Sequence, residues 1–152
     1  GYAVAPSDGS PLFYESWGER GVRTPVLLCD GIGCDGYVWR YLKTELEGRF
    51  GLHPHYRGHG RTAPPRDPQR VGIEDLADDV ACVLDDALVD RAVLIGHSMG
   101  VQVALETYRR HADRVAGLVL VCGAPSHPLK TFRGSAALED LLPTIQRCCP
   151  WK

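Results

Sequence analysis

Three stretches of the chain are apolar without alternation: residues 25–29, 92–95 and 115–121. Continuous runs of this length suit strands buried on both faces of a parallel sheet. Residues 49–53 form a weaker fourth run. Between the runs the period changes to that of a helix. Val38, Tyr41, Leu42 and Leu46 mark one face of residues 37–47, and Ile73, Leu76, Ala77, Val80, Leu84 and Leu88 mark a longer stripe. Val101, Ala104, Leu105 and Tyr108 mark a third. Asp75, Asp78, Asp79, Asp85 and Asp86 fall mostly off the second stripe and read as its solvated face. Residues 2–5 and 12–17 are short strand-like runs around Ser7-Asp8-Gly9-Ser10, a hairpin turn signal. Gly18-Glu19-Arg20-Gly21 reads as a second turn.

This order predicts an α/β chain. An antiparallel hairpin comes first, then parallel strands at 25–29, 49–53, 92–96 and 115–121 joined by right-handed crossovers. After Gly123 the pattern changes. Residues 1–123 read as a sheet-and-helix core and 124–152 as a separate segment, with a marginal helical stretch at 135–149 interrupted by Pro143.

Composition sharpens this little. The 152 residues are 44% hydrophobic and 24% charged, with a formal net charge of -2, which speaks against a nucleic-acid partner. No apolar run approaches the ~20 residues of a membrane-spanning helix. Cysteines at 29, 34, 82, 122, 148 and 149 show no paired spacing. Cys29, Cys82 and Cys122 fall in apolar patterns, as small hydrophobes do. A reducing, cytoplasmic setting is the expectation.

The candidate chemistry lies at the end of the third run. Gly96-His97-Ser98-Met99-Gly100 stands between a buried strand and an amphipathic helix. That context makes Ser98 the exposed tip of a strained strand-to-helix turn, a nucleophile elbow. Gly96 and Gly100 are needed because a Cβ on either flank would crowd strand against helix. The Met99 backbone N–H points where an oxyanion would form, at the positive end of the helix dipole. His97 precedes the serine, and alternation near a strand end turns its ring away from Ser98. Tyr37 and Trp39 follow a glycine-rich loop, where they line a pocket or pack a helix.

Two other motifs compete. Gly31, Gly33 and Gly36 match a dinucleotide-binding Gly-x-Gly-x-x-Gly, but Phe50-Gly51-Leu52-His53 offers no acid for a ribose. His53, His55 and His59 have a loosely metal-like spacing. A polar surface loop over the sheet edge is favoured, because no ligand-spaced acid or cysteine is evident and Arg57 and Arg61 would repel a cation. No metal and no cofactor is therefore expected.

Gly96 to Gly100, the strand and loop Leu27-Leu28-Cys29-Asp30-Gly31-Ile32-Gly33, the loop Tyr56-Arg57-Gly58-His59-Gly60-Arg61-Thr62 and the 73–88 helix together resemble one superfamily. It is the α/β-hydrolase fold, in its serine-nucleophile, esterase- and lipase-like branch, and the likeness is to its N-terminal half. The resemblance implies a predominantly parallel sheet, truncated here after about the sixth strand, with 124–152 as the start of a cap. It implies Ser98 as nucleophile, backbone N–H groups of Ile32 and Met99 as the oxyanion hole, and a small-molecule acyl substrate. Many relatives read His-Gly-x-Pro where this chain has Asp30-Gly31-Ile32-Gly33, and Asp where it has His55. An ionised Asp30 beside an oxyanion would oppose the chemistry unless its carboxylate turns into hydrogen bonds. Asp30, Tyr37 and His97 are candidate pocket residues.

In such relatives the triad acid and histidine come after later strands. No acid follows the 115–121 run, and no histidine is placed to serve. The expectation is a fragment or half of a split enzyme, inactive alone, which self-associates or pairs with a complementing C-terminal half. The alternatives are an inactive binding domain of the same fold, a cofactor-free haloperoxidase or C–C hydrolase, or, less favoured, a dinucleotide-binding domain. Relatives that open epoxides or haloalkanes use Asp at the nucleophile position, so the serine disfavours those activities.

Overall fold

The computed structural model describes residues 1–21 and 23–124. Six strands alternate with three helices: β1 (Tyr2–Val4), β2 (Pro11–Trp17), β3 (Val26–Cys29), α1 (Arg40–Glu45), β4 (Gly51–Pro54), α2 (Ile73–Asp86), β5 (Ala92–His97), α3 (Met99–Arg110) and β6 (Val115–Val121). Single 3-10 turns precede α1 and β6, at Tyr37–Trp39 and Ala112–Arg114. The strands form one sheet in the order β1-β2-β4-β3-β5-β6. β1 and β2 are antiparallel, β2 runs antiparallel to β4, and the remaining neighbours are parallel. The expected architecture is therefore present, with β5 between β3 and β6.

Alternation along the strands divides the core into two layers. On one face Leu27, Cys29, Leu52 and Leu94 pack with Leu76, Val80 and Leu84 of α2 and Val103 and Ala104 of α3. On the other, Val26, Leu28 and Ile95 pack with Trp39, Leu42 and Leu46. Each such leucine, removed from water, contributes roughly 1.5–3 kcal/mol.

Several expectations from the pattern need correcting. Residues 37–47 begin as a 3-10 turn, which shifts the helical phase: Trp39 is buried and Tyr41 is 72% exposed. α2 ends at Asp86, so Leu88 leaves the stripe, with φ of 52° and its side chain in solvent. Tyr108 is exposed, and Thr107 is buried instead, its hydroxyl donating to the Val103 carbonyl at 2.8 Å. Cys122 is exposed rather than packed as a small hydrophobe. Asp79 is not on a solvated face: it is buried, for a reason that appears below.

Among the described residues β6 is an edge strand, and Val119, Leu120 and Val121 at its end are exposed. No helix among the described residues is long and apolar enough to cross a membrane. The expected cap (124–152) and its 135–149 stretch lie almost wholly outside the described residues.

Candidate active site

Ser98 sits between the end of β5 and the start of α3 with φ of 53° and ψ of -116°. A non-glycine residue held at positive φ is strained, and such strain persists only where its surroundings over-determine it. Those surroundings are two glycines. A Cβ on Gly100 would land on the Cys29 carbonyl oxygen, and one on Gly96 would land on the Gly100 carbonyl oxygen. The strand and helix thus approach to a distance that excludes any side chain at either position. The Ser98 N–H donates to the Val121 carbonyl at 3.0 Å, and its own carbonyl accepts from Val101 N–H at 3.1 Å. Met99 opens α3, so its N–H is one of those that no helical carbonyl satisfies.

The loop of residues 30–36 lies directly against this turn. A Cβ on Gly31 would be 3.2 Å from both Ser98 Cβ and His97 Nδ1, and 3.5 Å from Cys34 Sγ. Cys34 N–H closes a turn onto the Gly31 carbonyl at 3.2 Å, with Gly33 at φ of 71°. Ile32, at the tip, is 58% exposed. The fold therefore brings together the segments that hold Ser98, Ile32 and Met99. His97 packs edge-on to Trp39, 6.1 Å between ring centres, and its Nδ1 is buried without a partner among the described residues. Tyr37 is exposed, its hydroxyl 3.7 Å from Cys34 Sγ.

Asp30 faces away into hydrogen bonds. It is 1% exposed. Its Oδ1 accepts the Trp39 indole N–H at 2.5 Å, and Oδ2 lies 2.8 Å from His53 Nε2. Both carboxyl oxygens are engaged, as burial of a polar group demands.

The histidine loop departs most from the expectation of a polar surface loop. His53, His55, Tyr56, Arg57 and Thr62 are all buried. Arg57 is no free cation. Its guanidinium forks onto both oxygens of Asp79 at 2.6 Å, reaches the Arg70 carbonyl at 2.9 Å, and donates to Ser7 Oγ at 2.8 Å. This pair draws the loop down onto α2 and explains the burial of Asp79. Burial raises the Asp79 carboxyl despite the bonds from Arg57, and the Asp79 bond in turn raises the Arg57 guanidinium.

His59 stands apart from the other two histidines, with Nδ1 at 3.0 Å from the Arg57 carbonyl. The third member of the cluster is Glu15, which opposes His53 across the β2–β4 pair. One ligand-type atom from each of Glu15, His53 and His55 lies within 4.8 Å of the others. Two features oppose a cation there. The Lys43 ammonium already sits 2.7 Å from the Glu15 carboxylate, and its hydrogen bond holds that carboxyl below the usual range. His55 Nδ1 accepts the Arg61 N–H at 3.0 Å, which leaves the hydrogen of a neutral ring on Nε2, where a metal would need a lone pair. Burial, then the charge of His53, lowers the His55 pKa below its ordinary 6.5. Nearby, burial pushes the Cys29 thiol up to about 12.

Sequence reasoning missed Glu15 and the pairing of Asp30 with His53. Period-two alternation along β4 is the signal that could have put residues 53 and 55 on one face, but Glu15 required the strand register.

The comparisons agree with this fold. The family model described as alpha/beta hydrolase fold matches residues 24–141. An epoxide hydrolase A of Mycobacterium tuberculosis is 34% identical over 127 residues, 82% of this chain and 39% of that protein. A bifunctional esterase/perhydrolase of Acinetobacter calcoaceticus is 34% identical over 132 residues, 84% of this chain and 46% of that protein. The solved enol-lactonase of Burkholderia xenovorans superposes with a TM-score of 0.75 at 28% identity, covering 99% of this chain and 63% of that one. The chain spans less than half the length of these two curated relatives. With the family model matched over most of its length, the chain belongs to the α/β-hydrolase fold family.

Proposed function

We propose that Ser98 is the nucleophile of an acyl-transferring hydrolase acting on an ester-like bond of a small molecule. The observation that carries this reading is the positive φ of Ser98 at the β5–α3 turn, walled by two glycines that tolerate no Cβ. The serine hydroxyl attacks the carbonyl carbon. The backbone N–H groups of Ile32 and Met99 receive the developing oxyanion, and the leaving alcohol departs from the tetrahedral intermediate. Water then hydrolyses the acyl-serine.

Attack needs a base for the serine proton, and the described residues bring no histidine–acid pair to Ser98. A histidine and an acid contributed from beyond the described residues complete the site, as the family resemblance implies. Without such a pair Ser98 is slow, with at most the residual ~10³–10⁴-fold acceleration that binding and an oxyanion hole supply. The exposed end of β6 receives a complementing half or a second copy. Relatives bearing the names epoxide hydrolase and esterase both match. The serine favours the esterase class, because the family resemblance implies Asp at the nucleophile of epoxide-opening enzymes.

The test is intact-mass analysis after treatment with a fluorophosphonate, alongside p-nitrophenyl acetate turnover. One adduct per chain, absent in Ser98→Ala, supports the reading. Equal labelling of the Ser98→Ala variant refutes it. Brisk Ser98-dependent turnover that persists in His127→Ala overturns the claim that the base lies beyond the described residues.

A further inference from the structure

We propose that His53 is a positioning residue for this site, the post to which the loop carrying the Ile32 amide is tied at both ends. The proposal rests on the acyl-transfer reading above and adds a residue that the serine motif does not include.

His53 lies on β4, the neighbour of β3, fully buried. At the loop's entrance its Nε2 holds Asp30 Oδ2 at 2.8 Å. At the loop's exit its ring packs on Gly36, where a Cβ would come within 2.6 Å of Cε1. Gly36 holds φ of 96°, so the exit is closed to most other residues by backbone and by space together. Trp39 ties the same two ends again: its indole donates to Asp30 Oδ1 at 2.5 Å and its N–H donates to the Gly36 carbonyl at 3.0 Å. Between the ends, Gly31 abuts Ser98 Cβ and Ile32 follows. A loop clamped at 30 and 36 has little freedom left at 31–33. Oxyanion donors act only when held in place before the reaction, which is what the clamp provides.

Removing His53 leaves a buried carboxylate with one of its two donors, a state that costs free energy until the loop rearranges. The histidine is also placed to hold Asp30's charge turned away from the oxyanion position.

The decisive readout is a ¹⁵N–¹H spectrum of the chain, which requires no turnover. In His53→Ala, the amides of residues 31–36 and the Trp39 indole N–H shift or broaden, while those of α2 stay in place. In His53→Gln, whose amide N–H can replace Nε2–H, they return toward their original positions. Trp39→Phe, which removes the other donor, moves the same set and serves if His53→Ala fails to fold. The fluorophosphonate labelling rate of Ser98 drops roughly ten- to hundredfold in His53→Ala and recovers in His53→Gln, less than the ~10²–10³-fold that outright loss of a donor costs, because the amide is displaced and not removed. A folded His53→Ala or Trp39→Phe with unmoved 31–36 amides overturns the proposal. So does a disturbance spread evenly along β4 that glutamine does not relieve, since that marks simple core packing. If the Ser98→Ala variant labels as fast as the parent chain, the acyl-transfer reading fails, while the spectra still decide whether His53 holds the loop.

Discussion

The β5–α3 turn and the Asp30–His53–His55 region lie on either side of the same loop, yet they are built by different means. The turn is a backbone device. Ser98 is strained at positive φ because Gly96 and Gly100 let strand and helix close on it, all within five residues. The other region is a side-chain device. Asp30, Trp39, His53, Glu15, Lys43 and His55 come from four segments and meet only after β2, β3 and β4 are aligned. A local backbone constraint leaves a short motif in the sequence. A network across strands leaves only a scatter of polar residues.

The contrast is sharpest where substitution breaks the backbone device. Gly100→Ala drives a methyl into the Cys29 carbonyl, with no flexible side chain to yield, and is expected to cost about 4 kcal/mol or more, measured by denaturant unfolding. A stability within 1 kcal/mol of the parent would show that strand and helix separate easily, leaving the glycine walls idle.

The largest expected effect among side-chain pairs is at Arg57, in the loop that follows β4. Arg57→Ala strands the buried Asp79 carboxylate and should cost roughly 3–5 kcal/mol, whereas replacing both Arg57 and Asp79 by apolar residues of similar volume should recover much of it. A double variant no better than the single one would mean the pair is not the reason the loop is buried.

The parts of the fold that were legible share the same locality. The 73–88 stripe gave α2, and the unbroken runs gave β3, β5 and β6 with boundaries near those observed. The misread positions are those set by remote partners or by a change of helical phase. Asp79 read as solvated because its partner Arg57 is 22 residues away, and His53 read as surface because Asp30 is 23 away. Tyr41 was placed inward because nothing in the period signals a 3-10 start at Tyr37. For Ser98, Ile32 and Met99, the sequence named the segments and the fold brings them together.

A smaller effect tests the environment of His55. Its folded pKa is depressed by burial, so the unfolded chain takes up a proton near the ordinary 6.5 while the folded chain resists. This contribution to stability is complete above about pH 6.5 and declines as pH falls below it. Tm should therefore drop between pH 7.5 and 5.5, and His55→Asn, which keeps an acceptor for the Arg61 N–H, should flatten that slope. An unchanged slope would assign the pH dependence to another group. The smallest effect belongs to the Lys43–Glu15 pair at the cluster's rim: both partners are partly exposed, and Lys43→Ala should cost less than about 1 kcal/mol by the same unfolding measurement.

The central claim, that the turn and the loop form one acyl-transfer site, is tested most directly by a crystal structure of the chain with a phosphonate bound to Ser98. The expected result is a phosphonyl oxygen at roughly 2.7–3.1 Å from the backbone nitrogens of both Ile32 and Met99. An adduct whose oxygen meets neither amide, with the two N–H groups diverging, would contradict it.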